Sequence, residues 1–206
     1  MHAVVREYKI QSGKADELIK RVSAEFVPMI ERAPGFVGYS LVQTGADGIL
    51  TVSTFENQTE AEASVKMAAG WVKEHVASFV IGSPRVTMGE LVVRHLVENA
   101  KAGYGIMRRI EGKPADVERI TKQVREDLLP LLSAMPGFAY YALLRESNLD
   151  RGVSLSAFAD RATAEAANQR ALSWVKEHVS DSLSKPVEFV GGEIKIRHLK
   201  ATAAAR

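Results

Sequence analysis

The sequence predicts an α+β protein made of two copies of one β-α-β-β-α-β unit. The first observation is an internal repeat: the hexapeptide WVKEHV begins at Trp71 and again at Trp174, 103 positions later. The second is that Pro34-Gly35-Phe36 returns as Pro136-Gly137-Phe138 at nearly the same shift. The third is that strand-like and helix-like patterns follow each other in the same order in both halves. Identical segments at a fixed period indicate a tandem duplication.

The first repeat opens with a predicted strand over residues 3–10, followed by a helix whose apolar positions recur every three or four residues. Pro28 lies inside this helical pattern, where it removes a backbone hydrogen bond and predicts a kink. Ala33-Pro34-Gly35 predicts the end of the helix. Matching Ile10 with Ile110, at a shift of 100, predicts a short insertion in the first helix of the second repeat.

The rest of the repeat reads as a hairpin, a helix and a last strand. Residues 37–41 and 50–53 alternate apolar and small or polar residues on either side of a Gly-Ala-Asp-Gly turn. Residues 57–80 predict a second helical region, with Asn57 or Thr59 as its N-cap. Residues 86–97 alternate again. In this ferredoxin-like order, both helices cover one face of a four-stranded antiparallel sheet.

The duplication predicts domains at residues 1–98 and 99–206, with a linker over 99–103 and a disordered tail over 201–206. Each repeat leaves one apolar sheet face uncovered, and two such faces can stack. We therefore expect two tandem ferredoxin-like βαββαβ units packed sheet to sheet as an intrachain α+β barrel. The chain is then a pseudo-dimer within one polypeptide, and further homodimerisation stays open.

Composition restricts the function. Lys and Arg total 27 against 25 Asp and Glu, and there is no cysteine. The absence of cysteine excludes disulfides, thiolate nucleophiles and thiolate metal sites. The balanced charge has no basic run, which argues against a nucleic-acid partner. Without an apolar stretch of about 20 residues, and with charges in MHAVVREYKI, we expect no membrane span and a cytoplasmic protein.

The two β-α-β-β-α-β units, the Pro-Gly-Phe motif, the Trp/His-bearing second helix and the Arg-His-Leu end of the last strand resemble one superfamily. Both halves, over residues 2–97 and 104–199, are similar to the antibiotic biosynthesis monooxygenase (ABM) superfamily of dimeric α+β barrels. The resemblance implies a fused subunit pair. It is specific for fold, because that superfamily includes cofactor-independent oxygenases of aromatic polyketides, haem-degrading enzymes, isomerases and small-molecule binders.

The haem-degrading branch implies an Asn on the first strand, a Trp on the second helix and a His that ligates iron. These positions fall, in the two halves, on Arg6, Val65 and His75 and on Ile106, Asn168 and His178. Only the histidines match the pattern, so haem cleavage is not expected. Haem binding through His75 stays open, and otherwise no cofactor is predicted.

The quinone-forming oxygenase branch implies that the substrate's phenolate activates oxygen while polar side chains position it. The candidate catalytic residues are His75, His178 and Arg6. The candidate pocket-lining residues are Tyr39, Val65, Trp71, His95, Tyr141, Asn168, Trp174 and His198. For the histidines the alternative is packing with a backbone hydrogen bond. No metal site is predicted, since a catalytic zinc site needs three protein ligands and no third ligand recurs.

Three functions stay open for these residues. One is a cofactor-independent monooxygenase acting on a small apolar or aromatic substrate in a cavity between helices and sheet. The second is a non-catalytic protein that binds haem or another hydrophobic ligand, and the third is a scaffold that has retained no active site. A cavity of roughly 300 Å³ or more would favour the first two, because ligand sites have about that size.

Overall fold

The computed structural model describes residues 1–146 and 151–200, so the predicted disordered tail lies outside the described residues. The chain forms two compact units: the first contains Met1–Met88 and the chain from Lys195 onward, and the second contains Gly89–Ile194. This division differs from that of the sequence repeats, because the last strand of each repeat contributes residues to both units. The repeat boundaries at residues 98 and 99 stay a prediction.

The first repeat contains four strands and three α-helices. The strands are β1 (His2–Ile10), β2 (Phe36–Gln43), β3 (Gly48–Phe55) and β4 (Val80–Leu96). The helices are α1 (Ala15–Arg21), α2 (Val27–Glu31) and α3 (Gln58–Trp71). Two π-helical turns, Val22–Phe26 and Val72–Val76, follow α1 and α3, and a 3-10 turn covers Ala77–Phe79.

The second repeat follows the same order. Its strands are β5 (Tyr104–Glu111), β6 (Phe138–Glu146), β7 (Arg151–Phe158) and β8 (Glu188–Leu199). Its helices are α4 (Val117–Gln123), α5 (Leu129–Ser133) and α6 (Arg161–His178). A π-helical turn covers Val124–Leu128, and 3-10 turns cover Pro114–Asp116 and Ser180–Ser182.

All described strand pairs are antiparallel, and each repeat forms a hairpin that its first strand extends. In the first unit β3 pairs with both β1 and β2, and in the second unit β7 pairs with both β5 and β6. The hydrogen-bonded strand order is β1-β3-β2-β8-β5-β7-β6-β4, and this order closes as a barrel. The prediction of an α+β barrel built from two ferredoxin-like repeats is confirmed.

A π-helical turn precedes the internal proline of the first helical region. Pro28 is the second residue of α2, and Val27 separates it from the π turn Val22–Phe26. A proline in the first turn of an α-helix costs little, because its missing N–H would have no intrahelical partner there. Pro130 has the same position in α5. Both repeats therefore keep a continuous helical path across a residue that normally interrupts one.

The strand registers correct the alignment of the first strands. Arg6 pairs with Thr51, whereas Arg108 pairs with Ser154. Because Thr51 and Ser154 are equivalent at the shift of 103, Arg6 and Arg108 are equivalent as well. The shift of 100 at Ile10 was wrong, and α1 and α4 contain no relative insertion. A slip of two residues keeps every side chain on its own face of a strand, so apolar alternation cannot detect it.

Each unit has its own aromatic core. Phe55 and Phe158 occupy the same position in the two repeats and are 0% exposed. Phe36 meets Phe55 edge to face, with ring centroids 6.1 Å apart, and Phe138 meets Phe158 at 5.6 Å. Such pairs add about 0.5–1.5 kcal/mol to the burial of their area. The strand ends next to Pro-Gly-Phe are therefore fixed in the same way in both repeats.

The long helices begin at side-chain caps. Asn57 Oδ1 accepts a hydrogen bond from the backbone N–H of Glu60 at 3.1 Å, which confirms Asn57 as the N-cap of α3. In α6 the carboxylate of Asp160 accepts from the backbone N–H of Thr163 at 2.9 Å. A cap of this kind satisfies one of the N–H groups that the first helical turn leaves without a partner.

The Asp160 cap should make the stability of the protein depend on pH. Hydrogen bonding from the Thr163 backbone lowers the pKa of the Asp160 carboxyl below its usual value. The cap therefore stabilises the folded state above the unfolded pKa of about 3.9, and this contribution is lost as the pH falls through the lower folded pKa. We expect Asp160→Asn, which keeps an acceptor, to flatten the fall in stability below pH 4 in urea unfolding. Identical pH slopes for the two proteins would contradict this.

Candidate functional site

A small cavity in the first unit is lined by residues of β1, β2, β3 and the helices that cover them. Its volume is about 30 Å³. Arg6, Tyr39 and Trp71 line it together with mostly aliphatic side chains. Among the described residues around this cavity, Arg6 is the one charged group. The volume is far below the roughly 300 Å³ of common ligand sites, so by this criterion the cavity as it stands favours the scaffold. It is sufficient for water-sized molecules.

Neutral hydroxyl groups hold the guanidinium of Arg6. The residue is 2% exposed. Its Nη1 donates to Ser53 Oγ at 2.9 Å, and its Nη2 donates to Ser64 Oγ at 3.0 Å. Ser64 in turn donates to the carbonyl of Ala61 at 2.7 Å, which orients the hydroxyl oxygen. Strand β3 and helix α3 therefore fix the guanidinium from two sides.

The charge of Arg6 has no carboxylate partner within the described part of the chain, and its Nε–H has no hydrogen-bond acceptor. Burial lowers the pKa of Arg6, while Tyr8 and Tyr39 act in the opposite direction. The guanidinium still remains protonated near neutral pH, because its ordinary pKa exceeds 12. A buried charge without a counterion is costly. The site therefore has an excess of positive charge that a bound anion would neutralise.

Aromatic side chains form the wall next to Arg6. Phe26 packs between Tyr39, at a centroid distance of 5.6 Å, and Trp71, at 5.3 Å. Burial raises the pKa of the Tyr39 hydroxyl well above its ordinary value, so this residue is a neutral phenol at pH 7. The indole Nε1–H of Trp71 is buried and has no acceptor. The cavity thus combines a cation and an unused N–H donor with apolar walls.

The second unit repeats this arrangement around Arg108, which is 3% exposed. Its Nε donates to Asn168 Oδ1 at 2.7 Å and its Nη1 to Ser156 Oγ at 3.1 Å, while Nη2 has no partner. Burial lowers the pKa of Arg108 to about 10. The adjoining cavity, of about 20 Å³, is lined by Tyr141 and Trp174. Burial raises the pKa of Tyr141 to about 12, and the Trp174 Nε1–H has no acceptor.

The two helix histidines lie outside these cavities. The side chain of His75 is 42% exposed, and its Nδ1 lies 3.0 Å from Glu25 Oε2. Its ring stacks on Trp71 with centroids 5.3 Å apart. His178 is exposed, with Nδ1 2.9 Å from the carbonyl of Trp174 and its ring stacked on that indole at 5.1 Å. Each histidine thus covers the outer face of the Trp that lines a cavity, and its catalytic role stays a prediction.

The remaining candidates divide between the surface and the interior. His95 is exposed and packs against the ring of Phe138 at 5.7 Å, and His198 is exposed with Nδ1 2.6 Å from Glu31 Oε1. Val65 is half-buried against the first core, outside the cavity lining. Asn168 is buried and reaches its cavity through its hydrogen bond to Arg108. The structure thus brings Arg6, Tyr39 and Trp71 to one cavity, whereas none of the candidate histidines lines it.

Alignment of the two repeats by sequence missed Arg108, since the shift of 100 placed Ile106 opposite Arg6. The signal was present at Pro28 and Pro130, which are 102 residues apart. Applying that shift to the first strand pairs Arg6 with Arg108. An arginine at the same buried strand position in both repeats would then have been the leading candidate.

Haem does not fit these residues. Neither cavity exceeds about 30 Å³, and the candidate iron ligand His75 lies at the surface against Glu25. Within the described ranges, no group of three or more His, Asp or Glu side chains could hold a metal ion. No helix in the described part of the chain is both long and apolar enough to cross a membrane.

We therefore expect haemin titration to leave the Soret band of free haemin unchanged in shape, because the candidate iron ligands His75 and His178 lie at the surface and outside both cavities. Absorbance spectroscopy at increasing protein concentration measures this. The matched variant is His75→Ala, which should give the same spectra. A sharp red-shifted Soret band that His75→Ala abolishes would contradict the expectation.

Two ferredoxin-like repeats, each with a buried arginine beside an apolar cavity, define this protein as a duplicated α+β barrel. Residues 1–69 and 103–173 match the family model described as antibiotic biosynthesis monooxygenase. The chain belongs to that family. The match includes Arg6 and Arg108 and the side chains that accept their hydrogen bonds, which are Ser53, Ser64, Ser156 and Asn168.

Several solved structures share this fold. A "putative monooxygenase" from Fusobacterium nucleatum subsp. nucleatum superposes with a TM-score of 0.75 at 9% identity, covering 97% of this chain and 94% of that one. Another "putative monooxygenase", from Lactobacillus acidophilus, superposes with a TM-score of 0.74 at 12% identity, covering 96% of this chain and 95% of that one. An anthrone oxidase-like protein superposes with a TM-score of 0.65 at 13% identity, covering 100% of this chain and 96% of that one. No curated protein matches the chain.

Proposed function

We propose that the protein is a cofactor-independent monooxygenase that oxidises a small phenolic or similarly acidic aromatic substrate, bound as its anion at Arg6. The observation that supports this most strongly is the buried guanidinium without a carboxylate partner, next to apolar walls. A charged residue is retained in such a place at a cost to stability, and binding an anionic ligand would offset that cost. Family membership supports the oxygenase chemistry.

In this mechanism Arg6 stabilises the substrate oxyanion and lowers the pKa of the substrate hydroxyl, since a nearby opposite charge favours the charged form. We assign the unused Nε1–H of Trp71, which lines the same cavity, as a second donor to the substrate oxygen. The electron-rich phenolate ring reduces O₂, and a new ring carbon–oxygen bond forms. One oxygen atom stays as a quinone carbonyl. The other leaves as water with the hydroxyl hydrogen and the displaced ring hydrogen.

Access for an aromatic ring requires the cavity to widen, because about 30 Å³ does not hold one. We assign the widening to the π turn Val72–Val76, whose residues Val72 and Val76 line the cavity. The equivalent part of α6 is regular α-helix to His178. π-helical turns in helices often occur at functional sites. The first unit is therefore our choice for the reacting site.

The second candidate is a protein that binds a small hydrophobic anion without turnover. It is favoured by the absence of Asp, Glu and His from the described residues that line the first cavity, which leaves no side chain there to act as a general base. Both candidates use a small-molecule ligand. The cytoplasmic location and any further homodimer belong to the same proposal.

Oxygen uptake separates the two candidates. Purified protein with 1-naphthol or anthrone should consume O₂ in proportion to the quinone formed, without added flavin or metal and in the presence of EDTA. Heat-denatured protein provides the blank for spontaneous oxidation. Saturable quenching of Trp fluorescence by the same compounds, without O₂ uptake above the blank, would reject the monooxygenase and support the non-catalytic binding protein.

A further inference from the structure

The second unit contains a buried cation that the proposed reaction does not use. Arg108 is held by Ser156 and Asn168, and no acidic side chain of the described chain pairs with it. Its Nη2 has no hydrogen-bond partner, and neither does the Nε1–H of Trp174, which lines the same cavity. Arg108 and Trp174 therefore line one small space, and each has a buried N–H donor without an acceptor.

The size and the lining of the cavity beside Arg108 restrict which ligand it can hold. The cavity measures about 20 Å³, and its lining apart from Arg108 consists mainly of apolar side chains. A water molecule could accept from one N–H, but it would leave the charge of the guanidinium uncompensated. A monoanion both accepts hydrogen bonds and neutralises the charge, and charge-assisted bonds are roughly twice as strong as neutral ones. The volume restricts that anion to a single monatomic ion, such as a halide.

Of the helical segments that line this cavity, α6 contains no π-helical turn, whereas the π turn Val124–Leu128 contributes Val124 and Leu128 to the lining. α6 is regular from Arg161 to His178 and begins at the Asp160 cap. Asn168, on the same helix, holds Arg108 through a 2.7 Å hydrogen bond, whereas the first unit uses the shorter Ser64. The hydrogen bond to Asn168 therefore fixes the Arg108 guanidinium against α6 beside this cavity.

We propose that the second unit contains a site for a small monoanion, of the size of chloride, bound between Arg108 Nη2 and Trp174 Nε1. This site neutralises the buried guanidinium and stabilises the second unit. It is independent of the reaction proposed at Arg6, and its test uses no activity measurement.

The chain provides a fluorescent reporter for this site. It has two tryptophans, Trp71 and Trp174, one beside each arginine. Trp71→Phe leaves Trp174 as the only indole. Iodide serves as the probe because it is a small monoanion that quenches indole on contact, and chloride serves as its competitor. Gluconate, which is too large for the cavity, keeps the ionic strength constant.

In Trp71→Phe we expect iodide to quench Trp174 along a saturating curve, and chloride to reverse that quenching at constant ionic strength. Adding Arg108→Met should make the iodide curve linear and reduce the quenching at 10 mM iodide at least fivefold. The matched control Arg170→Met removes an exposed arginine of α6 and should leave the curve unchanged. Neutral acrylamide should quench Trp71→Phe equally with and without Arg108→Met or Arg170→Met. Equal quenching would show that the substitutions keep the fold around Trp174.

A linear iodide curve in Trp71→Phe that Arg108→Met does not change would overturn the proposal. If Arg108→Met does not fold, thermal unfolding of the unaltered chain decides the question. Replacing gluconate with chloride should raise Tm by about 2–4 °C, the size of shift that about 1 kcal/mol of ligand binding produces in a chain of this length. An equal Tm in the two salts would then reject the site.

Discussion

Arg6→Met is expected to reduce kcat/KM for phenol oxidation by about 10²–10³-fold, the usual effect of removing one donor that stabilises a developing oxyanion. Methionine fills a similar volume and removes both the charge and the N–H groups. The loss should arise mainly because the bound phenol is less acidic without the guanidinium, so a smaller fraction of it is ionised. Oxygen uptake at several pH values measures it, because the variant should become active only near the pKa of the free phenol.

Two matched variants show whether the guanidinium itself is responsible. Arg6→Lys keeps the charge and loses the hydrogen bonds to Ser53 and Ser64 as they are now arranged, so an intermediate loss of about tenfold is expected. Arg32→Met removes an exposed arginine and should leave kcat/KM unchanged. Tm of Arg6→Met should not fall, since it removes a buried charge that has no carboxylate partner. A kcat/KM equal to that of the unaltered protein would remove Arg6 from the mechanism.

Phe158→Ala is expected to lower the free energy of unfolding by about 3–5 kcal/mol, the range for a buried phenylalanine replaced by alanine. Phe158 is 0% exposed and packs edge to face on Phe138 at 5.6 Å. The substitution removes the ring contact and leaves a cavity at the strand end beside Pro136-Gly137-Phe138. Urea unfolding followed by circular dichroism measures the change.

The control for this prediction is Phe189→Ala, because Phe189 is 53% exposed. Surface substitutions usually change stability by less than about 0.5 kcal/mol. Phe55→Ala tests the equivalent position of the first repeat, and a similar loss is expected because Phe55 is also 0% exposed. Equal stability of Phe158→Ala and Phe189→Ala would contradict the role of this ring pair.

Much of the fold could be predicted from local patterns. The repeated WVKEHV and Pro-Gly-Phe segments indicated two copies of one unit, and the apolar periodicities identified the type and order of the elements. Asn57 was recognisable as a cap because its side chain bonds to a backbone group only three residues away. Such features depend on neighbours in the sequence, so the sequence alone is sufficient to place them.

The site was harder to predict because its residues are brought together from distant positions. Trp71 and His75 are four residues apart, and their rings stack on one face of the helical segment. Periodicity gives the direction of a side chain around a helix, but it does not give the depth to which neighbouring strands cover it. As a result, Trp71 lies inside while His75, one turn later, lies at the surface.

By itself, the sequence determined that this protein is a duplicated α+β chain, and it made Arg6, Tyr39 and Trp71 candidates for one site. Only the tertiary structure decided that Arg108 is the counterpart of Arg6 and that both guanidiniums lack a carboxylate partner in the described chain. The physical reason is that strand register and charge pairing depend on contacts across about 50 residues of chain, such as those of Arg6 with Ser53 and Ser64. Local propensity contains no information about such contacts.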